Sequence, residues 1–405
     1  MKILQLCKKF PYPLKDGEAI AVTFLSKALR DLGCEITLLC MNTIKHYTDL
    51  SSLPPDFDHY KAIHCTDLDN SINPMDAFLN LFSESSYHVE RFISKEFEQK
   101  LIEVLKSEDF DIVQLETLYL APYVDTIKKH STASVVMRAH NVEHEIWERI
   151  AGNSGFWPKK WYLTHLTKKL RNFEVNRLND YDYLVALTDR DLRRFKKLGY
   201  RNGAIAAPIG IDTGMYAKVD RPISTDFTLC FIGSLDWMPN IEGLNWFLNR
   251  TWPLIQKRFP KVVLHVAGRN TPNSLMNLNM PNVVVHGEVP DAAEFVGQHS
   301  AMIVPLFSGS GMRVKILEGM ALSKTIITTS LGMEGIDAEN REQILVANSP
   351  EEFADAVSFC LENPGKIDQI GKNACEYVSR KFDNRKMASR LYEIYEKLVV
   401  GEYAH

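Results

Sequence analysis

Short apolar runs alternate with longer segments of helical periodicity along the chain. The apolar runs are short and rich in β-branched side chains, as buried strands are. They are "KILQLC" (2–7), "EITLLC" (35–40), "DIVQL" (111–115), "SVVMR" (134–138), "YLVAL" (183–187), "FTLCFIG" (227–233), "VVLHVAG" (262–268), "NVVVHG" (282–287), "AMIVP" (301–305) and "TIITT" (325–329). Helices are predicted between them, for example over 18–32, 240–258 and 312–322, and again over 383–400. This alternation predicts parallel sheets with helices on both faces.

The runs fall into two groups on either side of "NGAIAAPIGIDTGMY" (202–216), which is rich in small residues, glycine and proline. A chain of 405 residues is too long for one typical core, so two domains of about 200 residues each are expected. We predict an α/β protein with two doubly wound, Rossmann-like domains that face each other across a cleft. The first covers 1–205 and is joined by the C-terminal helix (383–405), and the second covers 206–382. Ligands of such sheets bind beyond the carboxyl ends of the strands.

The composition excludes several classes of protein. Hydrophobic residues make up 45% and charged residues 24% of the chain, as in ordinary globular proteins. The net charge of −4 argues against a nucleic-acid partner. The cysteines, seven in number, show no CxxC pair or metal-ligand spacing, which favours a reducing, cytoplasmic compartment. The N-terminal apolar run is shorter than that of a signal peptide, and no run approaches the ~20 residues of a membrane span. Any membrane contact is therefore expected to be peripheral.

The stretch "GSGMRVKILEGM" (309–320) combines small residues, cations and a carboxylate after a predicted strand. The turn 309–311 predicts a backbone that approaches a ligand closely, at the N-terminus of a helix. Arg313 and Lys315 add positive charge suited to a diphosphate, and Glu318 is placed to accept hydrogen bonds from a ribose diol. The alternative is an ordinary strand-to-helix loop with a solvated Lys315–Glu318 pair.

Longer motifs carry a family resemblance. "SGSGMRVKILEGMALSKTIITTSLGMEGI" resembles the signature of family-4 glycosyltransferases of the GT-B fold, which transfer a sugar from a nucleotide-diphosphate donor with retention. Further matches follow the family's order: "FPYPLKDGEAIAVTFLSKALRDLGCEITLL", "RAHNVEHEIWERIA", "ALTDRDLRRFKKLGY", "PIGID", "FIGSLDWMPNIEGLNWF" and "HGEVPDAAEF". The resemblance implies a GT-B architecture and a metal-independent hexosyltransferase without a cofactor, using a UDP-sugar, a GDP-sugar or a similar donor. The second domain would hold this donor, and the first would hold the acceptor.

Matched position by position, the resemblance implies that Glu318 holds the ribose hydroxyls of the donor. His140, matching a histidine that contacts the transferred sugar, is a catalytic candidate together with Arg313 and Lys315. The other donor-binding candidates lie in loops after strands: Gly309, Ser310, Gly311, Gly287, Glu288, Val289, Gly17 and Gly233. The glycine turn would line the diphosphate and the sugar, the backbone of 287–289 would read the nucleobase, and the loop of Gly17 would lie near the phosphates.

The sequence departs from the family pattern around the diphosphate. The family usually has two glutamates separated by seven residues, and Ser310 stands where the first is expected. A hydrogen-bond acceptor for the sugar is thereby lost or supplied otherwise. The segment "GSLDWMPN" lacks the arginine and lysine that the family often carries there, so Arg313 and Lys315 are expected to replace them in stabilising the leaving diphosphate. Ile209 and Glu18 likewise stand where an asparagine and a second glycine are common.

Polar residues after strands of the first domain leave alternatives open. Glu116 is either an acceptor contact or a cap of the next helix, and Asn141 is a further acceptor candidate. Without the resemblance, His140 would be interpreted as a structural histidine that is satisfied by hydrogen bonds. His140 and His144 are four residues apart but lack a clear third ligand, so no metal site is predicted.

The segment "FWPKKWYLTHLTKKLRNF" (156–173) has five basic residues, no acidic residue and several aromatic ones. This combination suits an anionic membrane surface, where a lipid-linked acceptor would lie. However, Leu163, Leu166, Leu170 and Phe173 have ordinary core spacing, which favours a surface helix packed through that stripe.

We predict a cytoplasmic retaining glycosyltransferase that acts on a glycan or lipid-linked acceptor in cell-surface polysaccharide biosynthesis. Peripheral contact with the inner face of the membrane is compatible with this prediction. Two alternatives remain. One is a catalytically silent subunit that binds a nucleotide sugar, an interpretation that rests on Ser310 alone. The other is a sugar-nucleotide epimerase of the same fold, whose motifs this chain lacks.

Overall fold

The structure, a computed structural model, describes residues 1–216, 227–309 and 311–402, with the side chains at 74, 77 and 78 left aside. The chain divides into two compact units. The first consists of Met1–Gly210 together with the chain from Asn384 onward, and the second consists of Ile211–Asp383.

The first unit is built on a parallel sheet. Its strands are β1 (Lys2–Cys7), β2 (Glu35–Thr43), β3 (Ala62–Leu68), β4 (Ile112–Leu115), β5 (Ser134–Ala139), β6 (Tyr183–Ala186) and β7 (Gly203–Ala206). They lie in the order β3-β2-β1-β4-β5-β6-β7, and every pair is parallel. The strand order reverses between β1 and β4, so the carboxyl ends of these two strands form the switch point at which ligands of such sheets bind.

The second unit repeats this plan. Its strands are β8 (Thr228–Ile232), β9 (Val263–Ala267), β10 (Val283–Gly287), β11 (Ala301–Val304), β12 (Thr325–Thr328) and β13 (Leu345–Val346). They form a parallel sheet in the order β10-β9-β8-β11-β12-β13. The switch point lies between β8 and β11, which places the loop 305–313 at this position.

Helices connect the strands of both sheets. They are α1 (Gly17–Asp31), α2 (Pro74–Asn80), α3 (Tyr87–Glu90), α4 (Lys95–Ser107), α5 (Val124–His130), α6 (Glu143–Asn153), α7 (Trp157–Arg177), α8 (Asp189–Lys197), α9 (Thr213–Tyr216), α10 (Met238–Trp246), α11 (Trp252–Arg258), α12 (Asn273–Met276), α13 (Ala292–Gly297), α14 (Val314–Ala321), α15 (Pro350–Glu362), α16 (Pro364–Lys381) and α17 (Asn384–Val399). Short 3-10 helices span Ile44–His46, Leu50–Ser52, Leu118–Tyr123 and Leu178–Asp180, and a π-helical turn spans Phe247–Thr251.

Alternating side chains of the first sheet enter two cores, as the period of two in a strand requires. Leu4 and Leu6 of β1 pack with Phe97 of α4 on one face. Ile3 packs on the other face with Leu25 of α1 and Tyr395 of α17. The C-terminal helix α17 thus completes a core of the first unit.

The ten predicted strands are all present, and the pattern missed β3, β7 and β13. Each of these three lies at the edge of its sheet. An edge strand is covered less completely and needs fewer apolar residues, so it lacks the continuous apolar run of a central parallel strand. The helix predicted over 240–258 is divided into α10, the π-helical turn and α11.

Candidate functional site

The glycine turn of the second unit lies at the switch point of its sheet, between β11 and α14. Gly309 and Gly311 have φ angles of 97° and 76°, in the left-handed region that favours glycine. Arg313 immediately precedes α14, and its Nη1 donates a hydrogen bond to the carbonyl oxygen of Gly311. The predicted donor candidate Ser310 lies outside the described residues. The turn thus presents backbone groups and a guanidinium at the N-terminus of a helix, an arrangement suited to an anion.

Lys315, in the first turn of α14, reaches the end of β8. Its Nζ lies 2.8 Å from Oδ1 of Asn240 and 3.4 Å from the carbonyl oxygen of Ile232. The same Nζ lies 5.0 Å from the centre of the Phe231 ring. Burial, together with the smaller effect of the nearby Arg313 guanidinium, lowers the pKa of Lys315 to about 7, and Glu318 opposes this shift. These neutral partners do not compensate the ammonium charge, and an anionic ligand would.

Gly233 follows β8 and leaves the space in which Lys315 ends. A Cβ at Gly233 would lie 3.0 Å from Nδ2 of Asn240 and 3.2 Å from Nζ of Lys315. Asn240 also donates from Nδ2 to the carbonyl oxygen of Ser234, at 2.9 Å. Asn240 therefore links the loop after β8 to the lysine of α14. The sequence alone does not indicate this role of Asn240, because an asparagine in the first turn of a helix is usually a surface residue.

Glu318, one turn further along α14, accepts a hydrogen bond from Tyr216. The Tyr216 hydroxyl of α9 lies 2.9 Å from Oε1 of Glu318. Burial raises the pKa of Glu318, and the Tyr216 hydrogen bond opposes this shift. Tyr216 could not be predicted from the sequence as a partner of Glu318, because the two lie about 100 residues apart and only the fold brings them together.

The nucleobase candidates lie at the end of the edge strand β10. Gly287 ends the strand, Glu288 is exposed and Val289 is partly buried. The carbonyl oxygen of Gly287 accepts a hydrogen bond from the N–H of Gly268, at 2.8 Å. A Cβ at Gly268 would lie only 2.1 Å from the carbonyl oxygen of Gly233. Glycines therefore follow β8 and β9 and end β10, side by side. Gly268 is the one of the three that was not among the predicted candidates.

In the first unit, Glu116 follows β4 and is completely buried. Its side chain accepts hydrogen bonds from Nε2 of Gln5 (2.7 Å), from Nη1 of Arg138 (3.0 Å) and from Gln114. Nε2 of His140 lies 2.9 Å from Oε2 of Glu116. Burial would raise the pKa of Glu116, but Arg138 and His140 outweigh it and lower the pKa to about 2. Glu116 does not cap the following helix, since Thr117 holds the N-cap position there.

The remaining candidates of the first unit lie at the same edge of the sheet. Asp16 caps α1 ahead of Gly17, and its carboxylate binds Nζ of Lys9 at 2.7 Å. Lys8 lies 3.2 Å from Glu18. In the loop after β5, Nδ2 of Asn141 lies 3.5 Å from Oε1 of Glu143. Gly17 and Asn141 thus both lie beyond the carboxyl ends of strands of the first sheet.

His144 does not share a partner with His140. Its Nδ1 lies 2.6 Å from Oε2 of Glu174, whereas His140 contacts Glu116. Among the described residues, three or more His, Cys, Asp or Glu side chains are nowhere arranged to hold a metal ion. Nor does any helix in the described ranges have the length and apolar character needed to cross a membrane.

The segment 156–173 divides into two parts. In the second part Leu166 and Leu170 are buried, and Phe173 packs against the core. In the first part Phe156, Trp157 and Trp161 are exposed. The second part is therefore a surface helix packed through its apolar stripe, as predicted. This packing does not explain the exposed aromatic side chains of the first part.

The chain is similar to known proteins. A family model described as glycosyl transferases group 1 matches residues 226–363. An uncharacterised 44.6 kDa protein in the cps region of Klebsiella pneumoniae is 23% identical and covers 97% of this chain and 99% of its own length. An uncharacterised glycosyltransferase of Methanocaldococcus jannaschii is 21% identical over 59% of each chain.

Solved structures share the fold over nearly the whole chain. Sucrose-phosphate synthase from Thermosynechococcus elongatus superposes with a TM-score of 0.71 at 15% identity, covering 99% of this chain and 100% of its own. Anabaena HepE in complex with UDP superposes with a TM-score of 0.68 at 15% identity, covering 98% and 100%. Together with the two parallel sheets, this likeness confirms the expected fold class. The chain has the GT-B fold, and most of its second unit matches the group 1 glycosyltransferase domain.

Proposed function

We propose that this protein is a retaining, metal-independent glycosyltransferase that transfers a hexosyl unit from a nucleotide-diphosphate sugar to a glycan or lipid-linked acceptor. The observation that carries the proposal is the cluster of Arg313, Lys315 and Glu318 beside the glycine turn, at the switch point of the second sheet. The group 1 glycosyltransferase match to the same unit supports it.

The donor's diphosphate would bind at the glycine turn. Backbone groups of Gly309 and Gly311 and the cations of Arg313 and Lys315 would surround it. Because the pKa of Lys315 is lowered to about 7, binding of a diphosphate would raise it again and take up protons near neutral pH. Glu318 would accept hydrogen bonds from the ribose diol, while its Oε1 also accepts the hydrogen bond from the Tyr216 hydroxyl. Solved HepE complexes contain UDP and UDP-glucose, which favours a UDP-sugar or a related donor.

Bond cleavage at the anomeric carbon places negative charge on the leaving diphosphate. We propose that Arg313 and Lys315 stabilise this charge as it grows. His140 would contact the transferred sugar, and Glu116 would hold the histidine in position through its 2.9 Å contact. Asn141 would contact the acceptor. The departing phosphate would itself take the proton of the acceptor hydroxyl, so that no side chain serves as the base.

One relative supports a cell-surface setting. A protein of the Klebsiella pneumoniae cps region matches this chain over nearly its whole length. We therefore propose a role in surface polysaccharide biosynthesis, at the cytoplasmic side of the membrane, where nucleotide sugars would serve as donors.

Nucleotide binding tests the donor site directly. Melting temperatures would be measured with UDP, GDP, ADP, TDP and CMP, for the wild type, Glu318→Ala and the exposed control Glu342→Ala. A ligand at about 100 times its Kd adds roughly 2.7 kcal/mol of stability, which is readily seen as a melting shift. We expect one nucleoside diphosphate to raise the melting temperature of the wild type and the control but not of Glu318→Ala. A chain that responds to none of them would contradict the proposed site.

A silent binding subunit is the second candidate, because Ser310 stands in place of a glutamate. It would bind the same nucleotide without turnover. Analysis of products from the preferred nucleotide sugar, with and without glycan acceptors, separates the two functions. A transferase forms a glycoside or slowly hydrolyses its donor, whereas a silent subunit leaves the donor intact.

A further inference from the structure

One face of α7 combines aromatic and basic side chains that are exposed to solvent. Trp157, Lys160, Trp161, Lys168 and Arg171 are all exposed, and Trp157 retains 76% of its accessible surface. Their spacing of three, one, seven and three residues places them on the same side of a helix. The opposite side, which includes Leu166 and Leu170, is buried. The chain has no acidic residue between Glu148 and Glu174.

A second exposed stripe lies on and around α2. Met75 and Leu79 of α2 are four residues apart and lie on one helical face, and Ile72 and Phe82 flank the helix on either side. All four are exposed, Phe82 at 80%. Large apolar side chains at helical spacing normally face a core, so this stripe is unusual in facing solvent.

The two stripes belong to neighbouring elements. Nζ of Lys169 on α7 donates to the carbonyl oxygen of Asn80 at the end of α2, and lies 3.3 Å from its Oδ1. The Tyr87 hydroxyl accepts a hydrogen bond from the N–H of Asn73 at 3.0 Å, while the Tyr87 ring packs on Leu166 of α7. Lys169 thus takes part in the contact between the helices, whereas Lys160, Lys168 and Arg171 are exposed. We refer to the exposed side chains of these neighbouring helices together as the α2–α7 face: Met75, Leu79, Trp157, Lys160, Trp161 and Lys168.

We propose that the α2–α7 face docks onto the surface of a bilayer that contains anionic phospholipids. Tryptophan rings suit the headgroup region, and lysines on the same face meet the lipid phosphates. Protein interfaces, in contrast, are depleted of lysine at their centres, so the mixed stripe of α7 favours a membrane over a protein partner. The stripe from 157 to 171 is about 21 Å long, which allows α7 to lie along the membrane plane. Asp76 of α2 is acidic, so the positive charge of the face comes from α7.

This docking goes beyond the proposed transfer reaction and does not depend on it. It would hold the enzyme at the surface where a lipid-linked acceptor lies. Because vesicle binding is measured without donor or acceptor, a failure of this proposal is distinguishable from a failure of the proposed activity.

Flotation with vesicles tests the docking. The full chain would be mixed with vesicles of phosphatidylethanolamine and phosphatidylglycerol, and in parallel with vesicles of phosphatidylcholine alone. We expect it to float with the anionic vesicles only, and to be released by high salt because charge attraction is screened. The proposal is overturned if the protein does not bind the anionic vesicles, or if it binds both kinds of vesicle equally.

Paired variants locate the contact. Lys160→Glu with Lys168→Glu should lower the vesicle partition by at least about 25-fold, since each lysine near an anionic leaflet contributes a factor of about five. Trp157→Ser with Trp161→Ser should also reduce binding. The control is Lys257→Glu with Lys261→Glu, an equal charge change at exposed positions of the second unit, which should bind as the wild type does.

All these positions are exposed, so melting temperatures should stay near that of the wild type and show that the variants are folded. An equal loss of vesicle binding in the control pair would show that the effect depends only on the net charge of the protein. It would overturn the assignment to this face. A tryptophan variant that instead converts a dimer to a monomer, with vesicle binding unchanged, would assign the face to a second copy of the chain and equally overturn the proposal.

Discussion

The buried charged groups at the carboxyl ends of the two sheets differ in whether the protein supplies an opposite charge for them. In the first unit, buried Glu116 is compensated by Arg138 and His140, and its pKa is lowered to about 2. In the second unit, burial lowers the pKa of Lys315 and raises that of Glu318, which disfavours the charged form of each. A protein compensates the charges that hold its own structure together. Charges that it leaves uncompensated at a strand end are suited to a ligand that supplies the missing partner.

The largest expected effect is on the stability of the first unit. Glu116→Leu leaves the buried Arg138 without its carboxylate, and breaking one side of a buried ion pair costs about 3–5 kcal/mol. Urea denaturation should show this loss in the free energy of unfolding. The contrast is Glu318→Gln, which keeps an acceptor for Tyr216 and should change stability by less than about 0.5 kcal/mol. Equal losses in both variants would remove the distinction between the two sites.

The next effect concerns catalysis in the second unit. Arg313→Ala should lower the rate of transfer by about 10²–10³-fold, because the charge on the leaving diphosphate is largest in the transition state. The affinity for the nucleotide diphosphate should fall much less. Rates would be measured at saturating donor and affinities by calorimetry, with the exposed Arg380→Ala as a control. A loss of affinity with an unchanged rate at saturating donor would show that Arg313 serves ground-state binding alone. Equal losses of rate and affinity would contradict the expected larger loss of rate.

A smaller effect is expected in the ligand-free protein with Lys315→Met. The pKa of Lys315 is about 7 in the folded protein, against the ordinary lysine value of 10.5, so the unfolded chain binds more protons between these two pH values. Stability attributable to this group therefore rises from pH 7 to 10.5 and is lost as the pH falls to 7. Lys315→Met should be more stable than the wild type at pH 7 and should lose this advantage towards pH 10.5.

Melting temperatures over that pH range would test this, with the exposed Lys372→Met as the matched control. A saturating nucleoside diphosphate should remove the advantage, because it compensates the lysine in the wild type. A variant that is less stable than the wild type at pH 7 without ligand would mean that Lys315 is already compensated within the protein.

The smallest effect is expected from Tyr216→Phe. The hydrogen bond from Tyr216 stabilises the charged form of Glu318, so its removal should raise the pKa of Glu318. A hydrogen bond of about 1 kcal/mol corresponds to less than about one pH unit. Nucleotide affinity should then be lost at a higher pH on acidification than in the wild type, as calorimetry across a pH series would show. An unchanged profile would exclude Tyr216 as a group that positions Glu318.

The alternation of apolar runs and helical segments determined the class of fold. Central parallel strands are buried on both faces, so their apolar runs can be recognised without knowledge of their neighbours. The same pattern missed β3, β7 and β13, since an edge strand needs less apolar surface. The candidate site in the segment 309–320 could also be predicted from the sequence, because its glycines, cations and carboxylate lie within a few residues of one another.

Only the tertiary structure decided which groups meet across the sheet edges. Tyr216 donates a hydrogen bond to Glu318, and Lys315 donates one to Asn240. Glu116 binds both Arg138 and His140. All these contacts join different elements of the chain. The same holds for the segment 156–173, whose leucines pack while its tryptophans remain exposed. Local periodicity specifies which faces of a helix or strand can be buried. Strand order and burial then determine which partners meet there, and they also determine which charges stay uncompensated within the protein.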